Sequence, residues 1–383
     1  MTYFLAGLIT IFLSLNAFAS KVVEIGIASN FSELSTVSFN PFGGYFKDAI
    51  ELAIQDQKEN LDKAGLQIKL KEFDYGINDL NIIKTVKEAS ASKVVAVIGY
   101  NYSSSALMAA PLHVEAKLPM VSPSASANRL GTFENYVHLG SFNNGFMART
   151  LAKISAEILN KRKVLILTAV NCAYCVDLSE TFSREIQNFG GRVVKNIAVI
   201  QEDTDFSKAV KQAKNLDFDV IFIPNQELTA ARIISAFIES GIDKPFLGAD
   251  GWGNEGSEFF RVLKGKKFTG YSVTHWHPKL NTEKSKRFVR NYLNKFHKLP
   301  NDTSVLAFDS MTMLIEAILK TKNLSRESLN STLLKTRTFE GVTGKALWEP
   351  NQAPKKDIVI LKTTDSSFAI HQVIPADVKK VQQ

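Results

Sequence analysis

The chain has 383 residues, of which 45% are hydrophobic and 22% are charged, and its net charge is +8. This composition excludes a disordered, a collagen-like or a disulfide-rich chain, and a mean hydropathy of −0.04 excludes a protein with many membrane spans. Basic residues alternate with acidic ones and form no dense run, so we expect no nucleic-acid partner. The length predicts about two domains.

Residues 1–19 contain no charged side chain and have the pattern of a secretory signal peptide. The apolar stretch from Phe4 to Leu15 has the length of a signal-peptide core and is short for a bilayer span. It ends at Ala17-Phe18-Ala19, the small-x-small pattern of a cleavage site. The absence of Lys or Arg near the amino terminus departs from the signal-peptide pattern, and an uncleaved anchor is the alternative. We expect cleavage after Ala19 and a periplasmic protein. Because no Cys follows the apolar stretch, we expect no lipid anchor.

After residue 20 the apolar pattern alternates between strands and helices. In the helix Gly44–Lys58, apolar residues recur at helical spacing and predict one face packed on a sheet. The remaining predicted elements of this first series are the strands Val22–Ala28, Gln67–Phe73, Val94–Ile98 and Pro119–Val121 and the helices Asp79–Ala91, with Asp79 as N-cap, and Ser104–Lys117.

A second series repeats this alternation and is followed by three helices and a hairpin. Two successive β-α series predict an α/β fold with two lobes, each a parallel sheet covered by helices on both faces. The predicted strands are Lys163–Thr168, Arg192–Ile200, Val220–Pro224, Pro245–Leu247 and Gly270–Thr274, and the predicted helices are Phe146–Asn160, Asp177–Phe189, Phe206–Asn215 and Leu228–Ser240. The later elements are the helices Lys284–Phe296, Thr303–Lys320 and Arg326–Thr336 and the hairpin Asp357–Lys362 with Phe368–Val373.

Two serine clusters follow neighbouring predicted strands. Ser103, Ser104 and Ser105 begin a helix, where unpaired N–H groups and the helix dipole favour an anion. Ser124-Ala125-Ser126 lies at the end of the next strand, where open α/β sheets bind ligands. A plain helix cap is the alternative for the first cluster.

Cys172 and Cys175 are the two cysteines of the chain and form a C-x-x-C pair. They are too few for a structural zinc site, and a thiol-redox enzyme is one alternative. In an oxidising compartment we expect a disulfide between them. Because its loop is so short, we expect little gain in stability and a stiffer loop around Tyr174.

Other motifs favour neither catalysis nor a cofactor. Gly251–Gly256 fits G-x-G-x-x-G, but the region Gly270–Leu280 lacks the acid that a dinucleotide site requires. His275-Trp276-His277 places two histidines on one face of a strand without a third ligand, so we expect surface histidines and no metal. We therefore expect no enzyme and no cofactor.

Several stretches, taken in order, resemble the type I periplasmic solute-binding proteins of the leucine/isoleucine/valine-binding group. The stretches are Val23–Ile27, Ile98-Gly99 with Ser103–Ser105, Leu118–Ser126, Asp219–Phe222, Ser240–Ile242, Pro245–Trp252 and Phe339–Gly344. The resemblance implies a Venus-flytrap of two Rossmann-like lobes joined by three hinge crossings, near Leu139, Tyr271 and Lys345. It implies a first lobe of residues 20–139 and 271–345 and a second lobe of residues 140–270 and 346–383.

The resemblance also implies a ligand site in the cleft. Ser105, Ala125 and Ser126 would take the α-carboxylate of an amino acid, and Asp250 would pair with its α-ammonium, which is a good chemical match. An Asx-turn is the alternative for Asp250. The ring of Tyr174 would cover the ligand, and the remaining predicted site residues are Ser103, Ser104, Ser124, Gln226 and Trp252.

The expected function is capture of a small solute, an amino acid or related carboxylate, by hinge closure. The resemblance implies delivery of the ligand to an ABC permease in the inner membrane, and we expect a monomer. A sensory binding module for a membrane signalling partner has the same fold and stays open as an alternative. A C-x-x-C oxidoreductase is the third hypothesis.

Overall fold

The chain is described here by a computed structural model that covers residues 20–31, 42–76, 80–133, 135–253, 258–348 and 353–376. The predicted signal peptide and the predicted N-cap Asp79 lie outside these residues. Within them, no helix is both long and apolar enough to cross a bilayer.

The first lobe is built on a parallel sheet of five strands in the order β2-β1-β3-β4-β5. Its strands are β1 (Lys21–Ser29), β2 (Leu66–Asp74), β3 (Ala96–Gly99), β4 (Met120–Ser122) and β5 (Val137–Leu139). Its helices are α1 (Phe42–Asp56), α2 (Lys58–Lys63), α3 (Leu80–Ser90) and α4 (Ser103–Glu115).

The sheet of the first lobe is covered on both faces because successive residues of a strand point to opposite sides. In β3, Ala96 and Ile98 pack with the buried apolar face of α1, whereas Val97 packs with residues of α3 and α4. Three later helices join α1 on its face of the sheet, so these carboxy-terminal helices belong to the first lobe. They are α10 (Glu283–Phe296), α11 (Asp302–Lys320) and α12 (Arg326–Lys335).

The second lobe is built on a seven-stranded sheet in the order β15-β14-β10-β9-β8-β6-β7. Its parallel strands are β6 (Lys163–Ala169), β7 (Arg192–Val199), β8 (Val220–Phe222), β9 (Phe246–Leu247) and β10 (Gly270–Thr274), and its antiparallel edge is the hairpin of β14 (Ile358–Thr363) and β15 (Phe368–Ile374). Its helices are α5 (Asn144–Lys153), α6 (Ala173–Asn188), α7 (Ser207–Ala213), α8 (Glu227–Glu239) and α9 (Glu258–Leu263). The predicted α/β fold of two helix-covered sheets is confirmed.

The chain passes between the two sheets at positions that differ in part from the prediction. Tyr271 pairs with Leu247 and Lys362 inside the second sheet, and all five residues of β10 are buried. The predicted crossing near Tyr271 is therefore displaced, because the chain leaves this sheet only after Thr274. Residues 271–274 belong to the second lobe's sheet rather than to the first lobe.

A small antiparallel sheet lies near the crossings and consists of β11 (Thr338–Gly341), β12 (Gly344–Leu347) and β13 (Lys355–Lys356). The turn between β11 and β12 is held by the buried carboxylate of Asp309, which accepts the backbone N–H groups of Val342 and Thr343 at 2.8 and 2.9 Å. In this way α11 fixes the turn from which the chain returns to the second lobe.

The crossings also bond to one another. Lys356 in β13 donates from Nζ to the backbone oxygen of Gly140, which follows β5, at 2.9 Å. The Trp348 indole N–H donates to the backbone oxygen of Leu139 at 3.2 Å. These two bonds join the chain segments that connect the lobes.

Candidate ligand-binding site

Asp250 occupies the carboxyl end of β9, in a short 3-10 turn formed by Asp250–Trp252. Its Oδ1 accepts the hydroxyl of Tyr174 at 2.7 Å, and its Oδ2 lies 3.3 Å from Nε2 of His275. The side chain is 14% exposed. Both carboxylate oxygens thus contact side chains from other elements, which differs from the Asx-turn alternative. The carboxylate is nearly enclosed and lies at the carboxyl edge of the sheet, the edge where open α/β sheets bind ligands.

Tyr174 lies in the first turn of α6 and is buried. Burial, with the adjacent Asp250 carboxylate, raises the pKa of the Tyr174 phenol well above its ordinary value. The phenol therefore stays protonated and acts as a donor to Asp250. Gly251 leaves room for this ring, since a Cβ there would lie 3.3 Å from the phenol oxygen.

The predicted disulfide between Cys172 and Cys175 is present and encloses Tyr174. Cys172 is the N-cap of α6, and its sulfur accepts the backbone N–H of Cys175 at 3.2 Å. The helix begins at Ala173, so the prediction that Tyr174 lies in a loop before a helix starting at Asp177 is wrong. The reason is local, because the N-cap contact and the disulfide extend the helix over these residues.

The two serine clusters bond to each other across neighbouring strand ends. Oγ of Ser103 accepts the backbone N–H groups of Ser126 and Ala127 at 3.3 and 3.2 Å. Ser124 donates from Oγ to the backbone oxygen of Asn101 at 2.9 Å. The N-cap of α4 is Tyr102, so Ser103 connects two loops instead of capping its own helix.

The other predicted members of these clusters differ in exposure. Ser104 is exposed, whereas Ser105 and Ala125 are buried beside the amino-terminal turn of α4 and the end of β4. The backbone oxygen of Ala125 accepts the hydroxyl of Ser141 at 3.1 Å. The structure therefore brings Ser103, Ser105 and Ala125 to one edge of the sheet and turns Ser104 towards solvent.

Asn144 connects the serine clusters to Tyr174, and the sequence-based prediction missed it. Its Oδ1 accepts the hydroxyl of Ser126 at 2.8 Å, and its Nδ2 donates to the backbone oxygen of Tyr174 at 3.2 Å and to Asp177 Oδ2 at 2.7 Å. Asn144 is fully buried. An asparagine at the start of a helix is typical of a cap, so its position alone did not indicate this role.

His275 was expected at the surface, but His275, Trp276 and His277 are all buried. The imidazole of His275 stacks on Phe142 with ring centroids 3.7 Å apart, so each of the two crossing segments contributes one ring. Burial lowers the pKa of His275, and the hydrogen bond to Asp250 opposes this shift in part. The ring is therefore mainly neutral at pH 7, so it offers Asp250 a hydrogen-bond contact and no formal positive charge.

Two predicted site residues lie at different depths. Trp252 is fully buried in the core of the second lobe, where it stacks on Phe259 and donates its indole N–H to the backbone oxygen of Ile223. The sequence-based assignment of Trp252 to the ligand site is therefore corrected to a core role. Gln226, the N-cap residue of α8, is half-buried at the strand-end edge.

No group of three or more side chains suited to hold a metal ion occurs among the residues that the structure covers. The loop after Trp252 includes residues outside the described ranges, so the Gly251–Gly256 motif is described only as far as Gly253.

Comparisons with known proteins agree with this architecture. Residues 23–367 match the family described as periplasmic binding protein. A leucine-binding protein LivK from Thermotoga maritima is 25% identical, with a TM-score of 0.83, over 93% of this chain and 99% of that one. LivJ from Streptococcus pneumoniae, a branched-chain amino acid transporter substrate-binding protein solved with isoleucine, is also 25% identical, with a TM-score of 0.81, over 93% and 100% of the two chains.

A solute-binding protein of an ABC transporter from R. palustris, solved with benzoate, shares the fold at 18% identity and a TM-score of 0.81, over 93% of this chain and 97% of that one. No curated protein sequence matches the chain. The family and these solved structures are non-enzymatic binding proteins. Taken with the two-lobed fold and the polar groups at the strand ends, the match over residues 23–367 shows that the chain belongs to the type I periplasmic binding proteins of the leucine/isoleucine/valine-binding group.

Proposed function

We propose that this protein captures an amino acid between its two lobes and delivers it to an ABC permease. The observation that carries the proposal is the environment of Asp250, whose carboxylate is nearly enclosed and is contacted by neutral groups, the Tyr174 phenol and the His275 imidazole. A buried anion without a counter-charge is costly. A ligand ammonium supplies that counter-charge and forms charge-assisted hydrogen bonds.

The α-carboxylate of the ligand is assigned to the opposite side of the cleft, near Ser105 and Ala125. Both lie where the first turn of α4 meets the end of β4, and the amino-terminal end of a helix favours an anion. Ser126 belongs to the same loop, but its hydroxyl donates to Asn144 and its N–H to Ser103 in this conformation. We therefore assign Ser126 to holding the loop in place, with Ser105 and Ala125 nearest the carboxylate.

Ligand binding is proposed to close the cleft by rotation of the lobes about their crossings. The lobes have separate sheets and cores, and the crossings hold each other through the Lys356–Gly140 and Trp348–Leu139 bonds. A solute that contacts both lobes binds the closed state more tightly and shifts the population towards it.

Export and delivery complete the proposal. The pattern of residues 1–19 supports cleavage after Ala19 and a periplasmic location. The solved relatives named for leucine binding or solved with isoleucine support an amino-acid ligand and a permease partner. We propose that the protein acts as a monomer.

A thermal-unfolding screen of residues 20–383 against amino acids, small acids, amides and polyamines tests this proposal. An amino acid present at a hundred times its Kd is expected to add about 2.7 kcal/mol to the free energy of unfolding. If only solutes without an amine stabilise the protein, the assignment of Asp250 to an ammonium is wrong.

A further inference from the structure

The side-chain amide of Asn101 is buried and has no hydrogen-bond partner within the part of the chain that the structure covers. Asn101 is 7% exposed, and both its Oδ1 and its Nδ2 are solvent-inaccessible and unbonded. A buried polar group without a partner is destabilising, and such groups are few in folded proteins. The burial of an unbonded amide at this position therefore requires a physical explanation.

The backbone around Asn101 is held in a specific conformation that does not depend on its side chain. Tyr100 adopts a left-handed conformation with φ of 54°, which is strained for a bulky residue. Gly99 precedes it with φ of 153°, where a Cβ would lie 2.0 Å from the backbone oxygen of Ala28. Tyr100 is fixed by its buried ring, which stacks on Tyr75. Strain of this kind is typical of functional sites.

Asn101 lies within the proposed ligand site. Its backbone oxygen accepts the hydroxyl of Ser124, and it stands between the end of β3 and the first turn of α4. Asn30 follows the neighbouring strand β1, and its Oδ1 is likewise buried without a partner among the described residues. Ala28 pairs with Gly99, so Asn30 and Asn101 both lie two residues beyond the last paired position of adjacent strands.

The unbonded atoms indicate which ligand group could form the missing hydrogen bonds. They comprise two carbonyl oxygens, which accept hydrogen bonds, and one NH2 group, which donates them. A primary carboxamide offers the complement, since its NH2 has two donors and its oxygen accepts. The amides of Asn30 and Asn101 are neutral and provide no counter-charge. A charged ligand side chain would therefore lose its hydration there without gaining an ion pair. An aliphatic side chain would leave all three atoms unbonded.

We propose that Asn101 determines ligand specificity and that the solute carries a primary carboxamide on its side chain, as in asparagine or glutamine. This inference rests on the proposed function for the position of the cleft, but it concerns the end of the ligand remote from Asp250. A site built to hydrogen-bond a polar group strongly rejects the analogue that lacks it.

Calorimetric titration with matched ligand pairs tests the inference. Asparagine and leucine have the same branched shape, and glutamine and methionine have similar lengths. The wild-type protein is expected to bind the carboxamide of at least one pair about tenfold or more tightly than its apolar partner. In Asn101→Leu this preference should disappear or reverse. Equal or tighter binding of the apolar partners by the wild type, or a carboxamide preference that survives in Asn101→Leu, would overturn the inference.

Two controls show whether a change in affinity reflects a loss of folding, and whether the carboxamide assignment holds if the ammonium assignment fails. The ligand-free unfolding midpoint of Asn101→Leu should equal or exceed that of the wild type, because the change removes an unbonded amide, and a strong loss would indicate a structural role instead. Asn101→Ala provides a second variant for the titrations. If propionamide binds as tightly as glutamine and Asn101→Leu weakens both, the ammonium assignment fails while the carboxamide assignment holds.

Discussion

The phenol of Tyr174 donates a 2.7 Å hydrogen bond to the carboxylate of Asp250, although the two residues are 76 positions apart in sequence. The bond joins the first turn of α6 to the end of β9. It fixes the orientation of the carboxylate at the edge of the sheet where α/β folds bind ligands. Through Asn144 the same helical turn is bonded to Ser126 of the first lobe, so the candidate groups of the two lobes form one network.

Removal of this hydroxyl in Tyr174→Phe should weaken amino-acid binding about tenfold, because a hydrogen bond to a charged acceptor contributes about 1.5–3 kcal/mol. The ring and its packing remain, so the fold should persist. Calorimetric titration of the variant measures the change in Kd. Tyr136→Phe, which alters a tyrosine just before β5 and away from the ligand edge, is the matched control. An unchanged Kd in Tyr174→Phe would contradict a positioning role for the phenol.

Reduction of the Cys172–Cys175 disulfide should lower both stability and affinity, and the loss of affinity should not exceed the tenfold expected of Tyr174→Phe. The bond closes a very short loop, for which chain entropy accounts for about 2 kcal/mol. The loop contains Tyr174, so loss of the crosslink frees the residue that orients Asp250. Kd and the unfolding midpoint are measured with and without a phosphine reductant, and the Cys172→Ser/Cys175→Ser double variant is the control for effects of the reductant elsewhere. Two free thiols in unreduced protein exported to the periplasm would contradict the pairing.

Lys356 should give the protein a specific pH dependence. Burial lowers the pKa of Lys356 to about 8 from its ordinary 10.5, and the nearby carboxylates of Asp309 and Asp357 oppose the shift. Between these two pH values the unfolded chain binds more protons than the folded one, so the free energy of unfolding rises with pH, by up to about 3 kcal/mol. Below pH 8 the full cost of burying the ammonium is present.

Urea unfolding from pH 7.5 to 10 measures this rise for wild type and for Lys356→Met. The variant should lack most of the rise, whereas Lys355→Met, which changes the adjacent and partly exposed lysine, should retain it. Parallel curves for wild type and Lys356→Met would show that the ammonium is not buried at the hinge.

The fold was largely predictable from the sequence because the apolar periodicity is strong in both series. The predicted helix Gly44–Lys58, with its apolar face, is observed as α1, and the predicted hairpin forms the edge of the second sheet. The helix start at Ala173 was missed, because a sulfur N-cap does not resemble the usual Ser, Thr, Asp or Asn caps.

At the candidate site, the contacts between residues far apart in sequence could not be predicted from the sequence. The sequence indicated Asp250 and Tyr174 separately, but their bond depends on the packing of α6 against the end of β9. His275 was expected at the surface, because a short His-x-His strand end carries no pattern that indicates burial at an interlobe crossing. Asn101 gave no indication at all, since its unbonded amide is a property of the folded chain.

The most direct test of the central claim compares one amino acid with its analogue that lacks the amino group, by calorimetric titration of residues 20–383. We predict that the wild type binds the amino acid at least about a hundredfold more tightly than the analogue, and that Asp250→Asn loses this difference while its ligand-free unfolding midpoint stays near that of the wild type. Equal affinities of the wild-type protein for the two ligands would contradict the claim that Asp250 receives the ammonium of an amino acid.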